Sequence, residues 1–202
     1  MSVINFIKRR GFLFLAAFII LAAGRTLVPA ECEETVVIDS TVYRVPPRWC
    51  GHKIDSADIA DRNRLVRLPR ELCYEDYRIY ILPETREALL KMAAAARKDS
   101  ITLIIDSGFR SAAYQRRIIE RRLAEGEPFE KIVRFVAPPG YSEHETGRAV
   151  DFVPSEALFA KTPAYQWLKK NAAAFHFYET YPESGNSLKP WEASHWCYCP
   201  GK

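Results

Sequence analysis

Residues 139–152 read PGYSEHETGRAVDF, and the spacing within this run predicts the local fold. It opens as a rigid Pro/Gly loop, and residues 147–153 then read as a β-strand. His144 stands at the mouth of the loop, and Asp151 lies on the strand that follows. Gly147 permits the backbone turn between them, because glycine adopts conformations that other residues avoid. The run therefore predicts a loop and strand that present an imidazole and a carboxylate together.

A second polar cluster near the C-terminus completes a candidate metal site. His195 begins a predicted strand at residues 195–198, and with His144 and Asp151 it forms a ligand set suited to one Zn²⁺ per chain. Three protein ligands leave one position of a tetrahedral zinc open, as in catalytic sites. Glu192 precedes His195 by three residues. If residues 193–194 form a turn, its carboxylate can act as a general base towards water instead of binding the metal.

Arg110 is the candidate anion-binding residue. It closely follows a predicted strand at residues 101–106, so its guanidinium emerges at the edge of the sheet where the site forms. A guanidinium offers paired donors to an anionic substrate or a developing oxyanion. A single histidine, aspartate or arginine of this kind more often has a structural role. The prediction of a metal site therefore rests on the joint pattern of the candidate residues.

The order of predicted elements indicates an α+β fold. Helices and strands are mixed without regular βαβ alternation. We expect a small mixed or antiparallel sheet flanked by helices, with the zinc site in a groove at the sheet. The predicted helices are 83–98, 112–125, 127–135 and 162–174, and the predicted strands are 35–38, 41–45, 101–106, 147–153, 175–178 and 195–198.

The chain of 202 residues is predicted to have three parts. Residues 1–24 have three basic residues before an apolar run, which is typical of a secretory signal peptide; an uncleaved membrane anchor is the alternative. Residues 25–64 form an irregular lead-in segment, and residues 65–202 form the metal-binding domain. We therefore expect an exported protein, periplasmic or in the cell envelope, that meets a membrane only through such an anchor.

The charge distribution gives no indication of nucleic-acid binding. The formal net charge is +4, and three of these charges belong to residues 1–24. Elsewhere Lys and Arg alternate with acids or lie along one amphipathic helix, as on an ordinary solvated face.

The five cysteines leave two interpretations open. Export permits disulfides, although an odd number leaves at least one thiol without a partner in the chain. Cys197 and Cys199 lie near the upper distance limit for bridging each other in a strand, so each is expected to pair elsewhere, if at all. The rival interpretation joins them with Cys50 and His52 in a structural zinc site.

The sequence resembles the zinc D-alanyl-D-alanine carboxypeptidases of the VanY type, which are related to L,D-carboxypeptidases and D-Ala-D-Ala dipeptidases of bacterial walls. The resemblance covers residues from about 65 to the C-terminus. It is carried by the SGFRS stretch at 107–111 with Gln115, the run at 139–151, the Tyr-Pro pair at 181–182 and the EASHW stretch at 192–196.

The resemblance implies roles for individual residues. It implies His144, Asp151 and His195 as zinc ligands, Glu192 as the catalytic base, and Arg110 as a contact to substrate or transition state. Ser142 and Gln115 correspond to residues on the substrate side.

The sequence departs from the family pattern at three places. The usual Glu-Pro-Trp-His is Glu-Ala-Ser-His at residues 192–195. An arginine expected soon after that histidine is Cys197, and one expected before Tyr-Pro is Thr180. These departures leave the pocket shape and the substrate preference open.

These features lead to three hypotheses. The first is an exported zinc carboxypeptidase that removes a terminal D-alanine from peptidoglycan stem peptides, with D,D and L,D specificity both open. The second is a zinc-stabilised wall-binding module that has lost catalysis. The third is an endopeptidase that cuts within the stem or cross-bridge.

Overall fold

The computed structural model describes residues 32–185 and 188–202, so the predicted leader at 1–24 lies outside the described residues. In the described part, no helix is both long and apolar enough to cross a membrane. The α-helices are α1 (Pro83–Lys98), α2 (Ala112–Ala124), α3 (Phe129–Ile132) and α4 (Pro163–Asn171). The strands are β1 (Thr35–Ile38), β2 (Thr41–Arg44), β3 (Val66–Arg67), β4 (Tyr80–Ile81), β5 (Ile105–Ser107), β6 (Ala149–Phe152), β7 (Phe177–Glu179) and β8 (His195–Tyr198). Short 3₁₀ helices cover Pro47–Trp49, Arg62–Arg64, Arg70–Leu72, Glu143–Thr146, Glu156–Lys161 and Ala172–Phe175.

Four strands form the central sheet in the order β5-β6-β8-β7, and each neighbouring pair is antiparallel. The register sets Asp151 opposite His195 on one side and opposite Ser107 on the other. Val150 and Phe152 point to the opposite face, where they are fully buried in the main core. The predicted α+β class is confirmed, and antiparallel pairing brings together residues that are distant in sequence.

Helix α1 covers the core face of this sheet and has the predicted bounds. Pro83 occupies its first turn, where the missing N–H costs nothing. Leu89, Met92 and Ala96 follow at helical spacing and are fully buried in the main core. The exposed basic residues of its last turn complement the helix dipole.

The lead-in segment packs against α2 and α3 and forms a second core. Ile38 and Trp49 are almost completely buried there with Ile119 and Ile132. The Trp49 indole N–H donates to the carbonyl of Val133 at 2.8 Å. The lead-in therefore has its own apolar contacts with the helices, beside the antiparallel β1–β2 hairpin.

Several predicted elements are shorter than expected, including the strand predicted at 147–153, which begins only at Ala149 because Gly147 ends the preceding 3₁₀ turn with a left-handed backbone. The strand predicted at 101–106 forms only over Ile105–Ser107, because its partner β6 pairs with it only as far as Phe152. The helix predicted at 127–135 is reduced to α3, which begins after Pro128 because that residue has an extended backbone. The helix predicted at 162–174 ends at Asn171 and continues as a 3₁₀ turn. The next strand starts later than predicted because His176 has a left-handed backbone, with φ of 61°.

The pairing of the cysteines excludes the interpretation as a structural zinc site. Cys32 and Cys50 form a disulfide, with a Cα–Cα distance of 5.8 Å. The proposed zinc site of Cys50, His52, Cys197 and Cys199 is therefore wrong, because the Cys50 thiolate is used in that bond. The sulfurs of Cys197 and Cys199 are 3.6 Å apart and both are free thiols.

Candidate metal centre

The three predicted ligands converge beside β6 and β8, the two central strands of the sheet. His144 lies in the 3₁₀ turn that ends at Gly147, whose φ of 65° is left-handed. Asp151 lies in β6, and His195 is the first residue of β8. One nitrogen or oxygen atom from each residue lies within 4.8 Å of the others. The antiparallel register of β6 and β8 produces this convergence.

His144 presents an unprotonated nitrogen to the centre of the cluster. Its Nδ1 lies 2.6 Å from the carbonyl oxygen of Gly108, which can only accept, so Nδ1 carries the proton. Burial, with Arg110 nearby, lowers the pKa of His144 to about 4, so the ring is neutral at pH 7. Its Nε2 lone pair then faces Asp151 Oδ2 at 3.2 Å, and two acceptors cannot share a hydrogen bond. Within the described part of the chain, no donor reaches this buried Nε2. A cation held by both atoms would satisfy them.

His195 is oriented by carboxylates on both sides of its ring. Nδ1 lies 2.9 Å from Asp151 Oδ1, and Nε2 lies 2.9 Å from Glu143 Oε2. Burial disfavours the charged ring, but the bonds to Asp151 and Glu143 outweigh it and raise the pKa of His195 to about 9. A metal competes for the inner nitrogen, because metal-binding histidines must lose that proton. Glu143 can then retain the outer proton and fix the ring, as partners of metal-bound histidines commonly do.

Asp151 is the shared carboxylate of the cluster. Burial raises its pKa, but the protonated His195 ring, which donates to Asp151 Oδ1 at 2.9 Å, outweighs that effect and holds the pKa well below its usual range. The hydroxyl of Ser107 donates to Asp151 Oδ2 at 2.6 Å. The carboxylate is therefore ionised and held in place, as a metal ligand must be.

Arg110 lies beside the cluster, where the sequence predicted it. Its backbone N–H donates to the carbonyl of His144 at 3.2 Å, and its Nη2 lies 3.7 Å from Asp151 Oδ2. Its Nε is buried, and no acceptor in the described residues reaches it. Arg110 thus retains a buried donor for an anionic group.

Ser142 and Gln115, the predicted substrate-side residues, line the same cavity of about 240 Å³. Both side chains are buried. The Gln115 amide donates to the carbonyl of Ala137 at 2.9 Å, while its Oε1 has no donor among the described residues. Gln115 is therefore anchored through one end and can accept a hydrogen bond from a ligand through the other.

Glu192 also lines this cavity, behind the turn predicted at residues 193–194. It is not a free carboxylate as the sequence suggested, because its Oε2 forms an ion pair with Lys189 Nζ. The Lys189 ammonium also lies 4.7 Å from the ring centroid of Tyr181, a cation–π contact. Lys189 gave no sequence signal, because it stands in a loop without periodicity or a recognisable motif.

Glu143 is the second residue that sequence reasoning missed. The motif spacing identified its neighbour His144 as a ligand and gave no role to Glu143. The partner of Glu143 is His195, which is 52 residues away along the chain. The Thr180 side chain also donates a hydrogen bond to this carboxylate. Burial opposes ionisation of Glu143, yet the bonds to His195 and Thr180 keep its pKa below the ordinary value. A second carboxylate therefore contacts the metal cluster, at the His195 nitrogen that faces away from Asp151.

Two histidines and an aspartate, gathered at the two central strands of a small antiparallel sheet, form a three-ligand set of the kind that catalytic zinc sites use. Residues 78–201 match the family described as VanY, D-alanyl-D-alanine carboxypeptidase, and the chain belongs to this family. The resemblance seen in the sequence is thereby confirmed.

Individual relatives agree with the family. The putative carboxypeptidase YodJ of Bacillus subtilis (strain 168) is 34% identical over 125 residues, covering 58% of this chain. The chain spans less than half of that relative, since the match covers 45% of its length. The solved LdcB LD-carboxypeptidase is similar over 82% of this chain and 83% of its own, with a TM-score of 0.62 and 26% identity. A VanY D,D-pentapeptidase in complex with Zn(II) is similar over 65% of this chain and 82% of its own, with a TM-score of 0.51 and 26% identity.

Proposed function

We propose that this protein is a zinc-dependent carboxypeptidase that removes a terminal D-alanine from peptidoglycan stem peptides. One zinc ion per chain is held by His144, Asp151 and His195. The observation that carries the proposal is the convergence of these three side chains, with one ligand atom from each within 4.8 Å of the others and the buried Nε2 of His144 3.2 Å from Asp151 Oδ2. We place the protein outside the cytoplasm, exported through residues 1–24 or anchored by them.

The residues around the centre divide the chemistry among them. Zinc at this site supplies Lewis acidity that polarises the scissile carbonyl and makes water a better nucleophile. Glu192 takes the proton from the attacking water and returns it to the leaving amine. Arg110 donates to the oxygen on which negative charge develops, through its guanidinium, whose Nε is buried and has no acceptor among the described residues. Ser142 and Gln115 orient the peptide.

One unpaired donor in the cavity favours a substrate with a free carboxylate, although four lining residues, Asp106, Glu143, Asp151 and Glu192, are themselves acidic. Lys189 is already paired with Glu192, whereas the buried Nε of Arg110 has no acceptor among the described residues. A terminal carboxylate that accepts from Arg110 is stabilised, because charge-assisted hydrogen bonds are strong in a site that excludes much of the water. An internal peptide bond offers no such charge, so the cavity supports a carboxypeptidase better than an endopeptidase.

The choice between D,D and L,D specificity has support on both sides. The similar solved structures include an LD-carboxypeptidase and a D,D-pentapeptidase, each at 26% identity. A wall-binding module without catalysis is the remaining alternative, motivated by the altered residues around His195. We favour catalysis because a carboxylate, Glu192, lines the metal cavity.

Defined muropeptides test the proposal directly. The zinc-loaded protein is incubated with pentapeptide, tetrapeptide and cross-linked substrates, and the products are identified by mass. We expect release of D-alanine from the pentapeptide or the tetrapeptide. Glu192→Gln should retain zinc and lose at least about a hundredfold in turnover. Cleavage only within cross-links, or undiminished D-alanine release by the variant, would refute the assignment.

A further inference from the structure

Two free thiols lie side by side at the end of β8. The sulfurs of Cys197 and Cys199 are 3.6 Å apart, which is van der Waals contact. From the sequence we expected each of them to pair elsewhere, if at all. In the structure, Cys32 and Cys50 pair with each other, and the remaining thiol, Cys73, is buried in the main core. The contact between Cys197 and Cys199 is therefore the place where a second disulfide can form.

The two thiols differ in their access to solvent. Cys197 lies inside the sheet, opposite Ala149 of β6 and Tyr178 of β7, and is only 7% exposed. Cys199 follows the last residue of β8 and is partly exposed. The hydrogen bond with the Cys197 sulfur lowers the pKa of Cys199, although burial opposes this effect. A reagent from solution therefore reaches Cys199 first, and the thiolate is the form that reacts.

The geometry allows a bond between these sulfurs and makes it easy to reduce. Bonding requires the sulfurs to approach from 3.6 Å to about 2.05 Å. In an extended backbone, Cα atoms two residues apart are separated by roughly 6.4–6.8 Å, the upper end of the range that disulfides accept. A bond at that limit is strained, and strained disulfides are reduced more readily than relaxed ones. The Cα–Cα distance of 5.8 Å between Cys32 and Cys50 has no such excess.

We propose that Cys197 and Cys199 are a reactive dithiol, which low-molecular-weight disulfides convert reversibly into an intramolecular disulfide. The inference takes from the proposed function only the location outside the cytoplasm, where thiols meet oxidants and disulfides. In that compartment a single partly exposed thiolate would join another molecule or be oxidised irreversibly. The adjacent Cys197 thiol converts the same attack into a bond within the chain, from which both thiols are recovered.

The exchange has two steps. The Cys199 thiolate attacks one sulfur of the oxidant, so that a mixed disulfide forms and the other half of the oxidant leaves as a thiolate that takes up a proton. Cys197 then loses its proton and attacks the Cys199 sulfur, which releases the second half. Two protein thiols are thereby oxidised to one disulfide, and one disulfide of the oxidant is reduced to two thiols.

This pair and the Cys32–Cys50 bond have different roles. The loop between Cys197 and Cys199 contains one residue, so a bond there removes little entropy from the unfolded chain. The loop between Cys32 and Cys50 spans 18 residues and removes much more. The Cys32–Cys50 bond is therefore structural, whereas the Cys197–Cys199 pair is a site of reversible modification.

The mass of the intact protein tests the pair without reference to D-alanine release. The zinc-loaded protein, with the Cys32–Cys50 bond intact, is incubated with glutathione disulfide and then denatured and alkylated. We expect each chain to lose two hydrogens and to retain one thiol for alkylation, at Cys73. In graded glutathione buffers, Cys197–Cys199 should be reduced before Cys32–Cys50, with equilibrium constants that differ at least about tenfold.

Single variants separate the roles of the two thiols. Cys197→Ala removes the second nucleophile, so the reaction should stop at the mixed disulfide and add one glutathione per chain at Cys199. Cys199→Ser retains only the buried thiol of the pair, and should neither lose two hydrogens nor take up glutathione under the same conditions. Cys73→Ala removes the other buried free thiol and is the matched control, which should lose two hydrogens as the wild type does.

Two results would overturn the proposal. One is a wild type that keeps all three free thiols in glutathione disulfide, or that takes up glutathione without losing two hydrogens. The other is a Cys197–Cys199 bond that resists reduction as strongly as Cys32–Cys50, since it would then be a structural disulfide. If the bond forms reversibly and no D-alanine is released from stem peptides, the thiol pair stands and the proposed function fails.

Discussion

At the scale of single residues, the two histidines of the metal centre are held from their outer sides. The Gly108 carbonyl accepts the Nδ1 proton of His144, and the Glu143 carboxylate faces Nε2 of His195. Both inner nitrogens consequently face Asp151. These outer acceptors determine which nitrogen remains available to a metal, because the hydrogen bond at one ring nitrogen sets the role of the other.

Glu143→Gln tests whether this outer contact supports metal binding. Glutamine has the same length but removes the negative charge beside His195, so the ring becomes a poorer ligand. We expect zinc affinity to fall about 10- to 100-fold, measured by competition with a chromophoric chelator. Turnover at saturating zinc should fall much less than in Glu192→Gln.

The Glu192→Gln variant is the matched control, because it removes the other cavity carboxylate without touching a ligand. It should retain zinc affinity and lose turnover. The reverse pattern, with zinc retained and turnover lost in Glu143→Gln, would show that Glu143 is the base and that our assignment of the two carboxylates is wrong.

At the scale of elements, the turn between β5 and α2 is held against β4. The Phe109 N–H donates to the carbonyl of Tyr80 at 2.7 Å. A Cβ on Gly108 would lie 2.7 Å from that same oxygen and 2.8 Å from methyl groups of Ile79 and Ile81. Only glycine allows this close approach, which places the Gly108 carbonyl on His144 and the next residues in the cavity wall.

Gly108→Ala should therefore disturb both packing and the site. Overpacking of this kind lowers the free energy of unfolding by about 1–3 kcal/mol. We expect that loss in urea denaturation, together with weaker zinc binding, because the carbonyl that orients His144 must shift. Gly201→Ala, where an added Cβ meets nothing within 4 Å, is the control and should change neither the free energy of unfolding nor zinc binding. Equal stability of the two variants would contradict the close approach.

Elements were predictable from sequence where their signals are local. Helix α1 has its predicted bounds because Pro83 and the basic last turn stand within the helix itself. Strand β5 is shorter than its β-branched sequence suggested, because its length depends on how far β6 runs beside it.

The ligands were predictable from motif spacing. Lys189 and the Gly108 carbonyl were not, because one lies in an unpatterned loop and the other is a backbone atom.

At the scale of the whole molecule, the lead-in segment holds the loop that carries His144. The N–H of Ile54 donates to the carbonyl of Gly140 at 2.8 Å, and the N–H of Ala60 donates to the carbonyl of Glu145 at 2.9 Å. The Tyr141 hydroxyl donates to Glu34 at 2.6 Å. The lead-in segment, predicted to be irregular, thus contacts this loop at both ends.

The Cys32–Cys50 disulfide ties this segment together, and its removal tests whether the segment supports the metal centre. The bond closes a loop of 18 residues, so Cys32→Ser/Cys50→Ser should lower the free energy of unfolding by about 3 kcal/mol. Denaturation monitored by tryptophan fluorescence measures this loss, since Trp49 lies in the second core. Zinc affinity should fall as well, because a loosened lead-in restrains residues 140–145 less. Cys199→Ser changes a free thiol and should alter neither quantity. If stability falls while zinc affinity does not, the lead-in stabilises the fold without acting on the ligand loop.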